Sequence, residues 1–266
     1  MTTNEVTAVK ISTPCTRKCK LIDNHCIGCG RTWQQIRDWT SLEESERLSI
    51  INSLKLNIEK IQMSYSQLGQ DLEVIKTYNN KENGFFIEIG ASDGIYFSNT
   101  YLLETKYKWR GICCEPIPHN FKKLVKNRPN SICYDKAVYN KSWLTLNFDI
   151  INYWDVLSGI SDHIDPAKSY TDNDKNTIQV QTISLLDVLN NANAPSFIEY
   201  MSLDTEGSEF EILKNFDFEK YTFGLIDVEH NHIESRRVEI KNLLLSKGYI
   251  YKGENQWDDM YKHNSI

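Results

Sequence analysis

The chain has 266 residues, 40% hydrophobic and 25% charged, a balance that excludes collagen-like, coiled-coil and wholly disordered classes. Its net charge of −6 is uneven: residues 1–60 hold 9 Lys/Arg against 7 Asp/Glu, whereas residues 61–266 hold 21 against 29. An acidic main body speaks against nucleic acid or an anionic membrane as the partner, because neutralising phosphate needs a surplus of Lys and Arg. The longest apolar runs, such as Phe85–Ile89, are too short to span a bilayer, and Met1–Lys10 lacks the apolar centre of a signal peptide. A cytoplasmic protein with no membrane span is expected.

In chain order, the first feature is Cys15-x3-Cys19-x6-Cys26-x2-Cys29. Gly28 and Gly30 allow the tight backbone that brings neighbouring thiolates onto one ion. Four thiolates suit tetrahedral Zn²⁺ or an iron–sulfur cluster; unmetallated thiols are the remaining reading, and a reducing compartment disfavours disulfides. His25 reads as a surface residue. Thr32-Trp33-Gln34-Gln35 is a capping box that opens a short helix, and Ser41-Leu42-Glu43-Glu44 is a second. Leu48, Ile51, Leu54 and Ile58 then recur at helical spacing, predicting a helix to about residue 58. These pieces make a metal-binding module over residues 1–60, too small to rely on its core alone.

Residues 61–266 form a second domain. Tyr65–Tyr78 reads as a helix. Strands and helices then alternate: strand 85–89, helix 98–107, strand 111–115, helix 118–127, strand 131–134. Alternation with buried apolar strands predicts a parallel sheet in an α/β domain. A period of two over 143–150 predicts a half-exposed strand, and 151–177 reads as an irregular functional loop. Strand 177–183, a helix capped by Ser184, strand 197–203, a helix from about 207, strand 222–229, helix 235–246 and two terminal strands complete the chain. Cys113, Cys114 and Cys133 fall in strand-like stretches and read as small buried hydrophobes.

Phe85–Gly94 is a buried strand running into a glycine turn, with Gly90 and Gly94 bending the chain so that backbone can approach a ligand beneath a helix. Glu88, two residues before Gly90, suits a ligand with a cationic amino-acid end better than a pyrophosphate. Glu115 ends the next strand, where an acid takes ribose hydroxyls, and Asp135 ends the third, where it can meet an adenine amine. Together they read as an S-adenosylmethionine site. Two further strands end in Asp204-Thr-Glu206-Gly207-Ser-Glu209 and Asp227-Val-Glu229-His230-Asn231, facing the same crevice. A hydroxyl acceptor must lose its proton: His230 is one candidate base, and Mg²⁺ held by Asp204, Glu206 and Glu229 is the other route. Glu209 and Asp227 are expected only to cap or pair, and His119, His163 and His232 to lie on the surface.

Several stretches together resemble the FkbM family of class I methyltransferases: Ser66–Asp71, Glu88–Gly94, Ser98-Asn99-Thr100, Gly111–Pro116, Ser202–Glu209 and Val228–Asn231. The resemblance implies a Rossmann-like sheet of about seven strands and methyl transfer to oxygen, often a sugar hydroxyl. By position it implies that Glu88, Gly90, Asp93, Asn99, Glu115 and Asp135 line the cofactor. Ser92 departs from the general methyltransferase pattern, which favours glycine there. Residues 13–56 resemble a small bacterial four-cysteine family of unknown function. The expectation is therefore an S-adenosylmethionine-dependent O-methyltransferase acting on a saccharide or glycan precursor, with Trp154 and Tyr170 available to stack on a sugar, and with residues 1–60 available to a protein partner. A non-catalytic nucleotide-binding scaffold is the competing reading, and a protein or lipid acceptor a third.

Overall fold

A computed structural model describes residues 12–15, 21–22, 25–26, 29–164 and 174–266. They belong to two compact units, Met1–Met63 and Ser64–Ile266. The first contains a strand pair, β1 (Leu21–Ile22) and β2 (His25–Cys26), and helices α1 (Trp33–Arg37) and α2 (Glu44–Met63). The capping box of α1 is present: Gln35 N–H donates to Thr32 Oγ1, and Thr32 N–H donates to Gln35 Oε1. The second box is displaced. Ser41 Oγ donates to the Asp38 carbonyl, and Glu46 instead reaches back to Glu43 N–H, so α2 starts at Glu44.

The second unit begins with α3 (Gln70–Thr77), five residues later than Tyr65. Gly69 sits in the left-handed region at φ 79°, and the segment before it folds back over Asp71, whose carboxylate accepts from Tyr65 N–H and Ser66 Oγ. There follow β3 (Phe85–Ile89), α4 (Tyr101–Tyr107), β4 (Arg110–Cys114), α5 (Pro118–Asn127) and β5 (Ile132–Tyr134). Next come β6 (Ala137–Tyr139), β7 (Thr145–Ile151), a 3₁₀ turn at Asp155–Leu157, β8 (Gly159–Ile160), β9 (Lys175–Ser184) and α6 (Leu185–Asn191). The chain closes with β10 (Phe197–Leu203), α7 (Glu209–Leu213), β11 (Thr222–Glu229), α8 (Glu234–Ser246), β12 (Tyr249–Asn255) and β13 (Asp258–His263).

Among the described residues the main sheet has seven strands in the order β12-β13-β11-β10-β3-β4-β5. β3, β4, β5, β10 and β11 run parallel, and β13 is antiparallel to β11 and β12. The chain enters at the centre, winds out through β4 and β5, then returns to the other side through β10 and β11. The reversal lies between β3 and β10, where ligands of open α/β sheets bind at the carboxyl ends. Phe86, Cys113 and Tyr200 belong to one core cluster, and Ile87, Ile112 and Met201 to another, as alternation along strands buried on both faces requires. The period-two stretch at 145–151 does not join this sheet. It pairs with β8 and β9 in a separate sheet of order β6-β9-β7-β8, with its own cluster of Ile117, Ala137, Phe148, Ile160 and Val180. The expected irregular segment 151–177 thus carries a 3₁₀ turn and a strand; Tyr170 lies outside the described residues.

Candidate active site

A cavity of about 340 Å³ opens at the carboxyl ends of β3, β4, β10 and β11. Gly90, at φ 89°, turns the chain out of β3, and a Cβ there would lie 2.0 Å from the Asp204 carbonyl oxygen. Asp204 N–H donates to the Ile89 carbonyl at 3.1 Å. Only a glycine lets the ends of β3 and β10 approach this closely. Ser92 adopts φ 46°, so this serine takes the left-handed conformation that a glycine would otherwise supply. Its N–H donates to Glu115 Oε2 at 2.9 Å, while Glu115 Oε1 accepts from Ile117 N–H at 2.7 Å. Burial pushes the Glu115 carboxyl up to about 7 against the pull of those two bonds, and the charge of Asp155 adds to the rise.

Glu88 also lines the cavity, but its oxygens are already taken. They accept from Ser98 Oγ, Asn99 N–H (2.6 Å), Thr100 Oγ1 (2.6 Å) and Arg128 Nη1 (3.2 Å). Arg128, 1% exposed, also bonds Glu104 Oε2 at 2.6 Å. Glu88 therefore shapes the 98–100 turn, and the turn presents Asn99. Asn99 Nδ2 donates to Ser202 Oγ at 2.9 Å, and its buried Oδ1 has no partner among the described residues.

At the ends of β10 and β11, Asp204, Glu206 and Glu229 each bring a carboxylate oxygen within 4.8 Å of the others. Asn231 Nδ2 bridges two of them, donating to Glu206 Oε2 (3.1 Å) and Glu229 Oε2 (2.6 Å). Burial, then repulsion within the group, pushes the Asp204 and Glu229 carboxyls well above their ordinary range, and the two are hydrogen-bonded to each other. Glu206 (φ 59°) and Asn231 (φ 50°) hold left-handed conformations in the two loops that carry the group. Glu209 braces the first loop by accepting from Thr205 and Gly207 N–H, and Asp227 accepts from Tyr200 Oη; both pair, as the sequence suggested.

Four expected site residues do not line the cavity. Asp93 Oδ1 caps its own turn, accepting from Ile95 and Tyr96 N–H. Gly94 faces Arg128 and Leu124. Asp135 is exposed and pairs with Lys136 at 3.1 Å. His230 follows Glu229 in an extended chain, so its side chain takes the opposite face. Its Nδ1 accepts from His232 N–H, its Nε2 lies 3.6 Å from Asp259 Oδ1, and burial lowers its pKa. Two contacts had no local signal: Gln70 Nε2 donates to Asp258 Oδ2 at 2.6 Å, and Asn255 Nδ2 donates to the Leu68 carbonyl at 3.2 Å. They tie the start of this unit to the β12–β13 hairpin, beside the cavity that Gln70 and Asp258 both line. His119 lies on the surface, as expected, and bonds Asp155 there.

In the first unit, Cys26 and Cys29 are buried and Cys15 is exposed; Cys19 lies outside the described residues. The Cys29 and Gly30 N–H groups both donate to the Cys26 carbonyl, Gly30 at φ 72°, and Arg31 Nε lies 3.3 Å from Cys29 Sγ. Among the described residues, the Asp204–Glu206–Glu229 group alone brings three such ligand atoms together.

Residues 88–251, more than half the chain, match the family model of the methyltransferase FkbM domain. The chain belongs to the FkbM methyltransferase family. Residues 13–57 match a second model, a protein family of unknown function, DUF1289. No curated protein matches. Solved structures with a similar fold include a precorrin-6y C5,15-methyltransferase from Geobacter metallireducens (TM-score 0.40, 10% identity, 72% of this chain and 84% of that one). Others are Aeropyrum pernix fibrillarin with natively bound S-adenosyl-L-methionine (0.39, 12%, 69% and 67%) and the N-terminal domain of human METTL16 (0.41, 11%, 73% and 67%). The seven-stranded order of this FkbM methyltransferase, with its antiparallel β13, is the class I arrangement of S-adenosylmethionine-dependent methyltransferases.

Proposed function

We propose that this FkbM methyltransferase transfers a methyl group to a hydroxyl, with a saccharide or glycan precursor as acceptor and the Asp204–Glu229 pair as the group that takes the proton. The observation that carries the reading is the carboxylate group on the cavity wall beside the Gly90 turn, two of its three members buried. The cavity fits the cofactor's chemistry: Asn99 Oδ1 is a buried acceptor with no partner among the described residues, suited to a cationic amino-acid end, and Glu115 stands at the end of β4, suited to ribose hydroxyls. Glu88, fully engaged, supports the turn that presents Asn99.

S-adenosylmethionine supplies an electrophilic methyl. The chain's own residues must hold the acceptor in line and remove its proton. Carboxyls with pKa values raised by burial and repulsion lie closer to the operating pH than ordinary ones, which makes Asp204 and Glu229 better proton acceptors than a solvated acid. Asn231 holds Glu229 against Glu206 beside them. A second reading rests on the same three oxygens within 4.8 Å, a spacing open to a hard divalent cation such as Mg²⁺, which would acidify the hydroxyl. Chelation separates the two: turnover unchanged by EDTA supports the carboxylate base, and loss restored by Mg²⁺ or Mn²⁺ supports the cation. Support for a sugar acceptor comes from the family resemblance and from the exposed rings of Tyr153 and Trp154, next to the cavity-lining Asp155–Leu157 turn. Mass spectrometry of glycans from cells with and without the gene tests it; identical methylation in both rejects the sugar.

For the N-terminal module we propose a structural zinc held by Cys15, Cys19, Cys26 and Cys29, with a role in recruiting a protein partner. The Cys26–Gly30 turn and the Arg31 guanidinium beside Cys29 Sγ support thiolate chemistry there. Elemental analysis should find about one zinc per chain; iron with a brown colour would mean an iron–sulfur cluster, and neither metal would refute the module.

A further inference from the structure

Beyond Glu115 the cavity wall turns mostly apolar, with Lys136 at its side. Ile117, Ala137, Phe148, Val156, Leu157 and Ile160 line it. A slot of this kind takes a flat ring rather than a charged group. Asp155 belongs to the same wall, as the first residue of the 3₁₀ turn that also supplies Val156 and Leu157. Its Oδ2 accepts twice from α5, from His119 Nε2 at 2.9 Å and Asn120 Nδ2 at 3.0 Å. Its Oδ1 accepts no hydrogen bond among the described residues. The charge of Asp155 is felt at Glu115, so the two acids bear on one region of the cavity.

An ionised carboxylate only accepts. Held by one oxygen, with the other free on the wall of an apolar slot, it selects a ring that carries an N–H donor at its edge. It repels a ring with an oxygen there. We propose that Asp155 Oδ1 reads the exocyclic amine of the cofactor's adenine, and that His119 and Asn120 are positioning residues which hold the carboxylate for that contact. The inference rests on the cofactor reading above and adds the residue that makes the site specific for adenine. It gives to Asp155 the role that the sequence offered to Asp135, whose side chain is solvated and paired with Lys136.

The test is calorimetry on the full chain with two ligands. One is S-adenosylhomocysteine, and the other is its 6-deamino analogue, in which purine replaces adenine and only the amine is lost. Wild type should bind the first about 10- to 100-fold more tightly, the ratio expected for one hydrogen bond to a charged group. In Asp155→Ala the ratio should fall to about one, with the affinity for the 6-deamino analogue little changed. Asp155→Asn can keep the bonds from α5 through its oxygen while turning N–H₂ toward the ligand, and it should lose the ratio too, which guards against a folding defect in the alanine variant. His119→Ala should lower the ratio partway. A wild-type ratio near one, or a full ratio in Asp155→Ala and Asp155→Asn, overturns the assignment. If wild type binds neither ligand, the cofactor reading falls and this inference falls with it.

Discussion

Two groups of carboxylates meet at the cavity, and their buried members are buried alike: Glu88 is 3% exposed, Glu206 4% and Glu229 5%, with Asp204 half-buried. Their surroundings differ. Glu88 receives two hydroxyls, one backbone N–H and a guanidinium, and Arg128 is in turn shared with Glu104. Asp204, Glu206 and Glu229 face one another, with Asn231 bridging two of them. Burial therefore does not by itself make a carboxylate reactive. A buried acid matched by donors becomes a rigid support, and a buried acid facing other acids keeps its affinity for a proton.

The largest expected effect breaks the second group. Asp204→Asn or Glu229→Gln should lower turnover by about 10²–10⁴-fold, with S-adenosylhomocysteine affinity changed less than about threefold. Single-turnover kinetics beside calorimetry checks both, and equal rates would remove the carboxylates from the chemistry. The matching change in the first group is Arg128→Met, which leaves Glu88 and Glu104 buried without their cation. It should destabilise the protein by about 3–5 kcal/mol in denaturant titration, and a loss under about 1 kcal/mol would mean the two groups do not differ as described.

Asp227 sharpens the comparison, because it is buried with one donor, Tyr200 Oη. Burial pushes its carboxyl up to about 7 from 3.8. The native state then holds a proton that the unfolded chain has released, so stability declines as pH rises toward 7 and levels off above it. Asn does not titrate and still accepts from Tyr200. Relative to wild type, Asp227→Asn should gain about 2–3 kcal/mol between about pH 5 and pH 8; a difference that stays flat with pH would contradict the raised carboxyl. Glu115→Ala should weaken S-adenosylhomocysteine binding by about 10- to 100-fold, measured by calorimetry. The smallest effect is at His230: with its ring turned toward Asp259, His230→Asn should change turnover less than about threefold, and a 100-fold loss would return the base to this residue.

What was legible in the sequence follows from how local each signal is. The Gly90 turn, the Glu115 spacing and the alternation of strands are carried by neighbouring residues, so the parallel sheet and the place of the cavity could be read directly. The ends of β10 and β11 were legible through the rule that strand termini face the crevice, which brought Asp204, Glu206 and Glu229 together on paper. The same rule drew in His230, because facing depends on a register of one residue, and a strand end does not reveal which of two adjacent side chains turns inward. Glu88 looked like a ligand group because its donors come from residues 98–100 and from Arg128, two helices and a strand away. The second sheet was not legible: β6 and β9 pair across the 35 residues 140–174, Ala137 with Thr182 through Tyr139 with Ser184. The small units at 1–60 and 61–266 were separable by composition, whereas the tetrahedral arrangement that four cysteines invite depends on Cys19, outside the described residues.

The bonds from Gln70 to Asp258 and from Asn255 to Leu68 have a practical meaning for anyone who trims this chain. They close a loop from the first residues of the methyltransferase unit to its last hairpin, like a buckle fastened across the mouth of the cavity. A protease cut near residue 63 leaves the buckle whole. A cut past residue 71 removes one half of it and leaves Asp258 without Gln70, the hairpin then being held by its pairing with β11 alone, although every strand of the sheet is still present. Limited proteolysis at those two places therefore divides fragments that keep a formed cavity rim from fragments that keep only the sheet behind it.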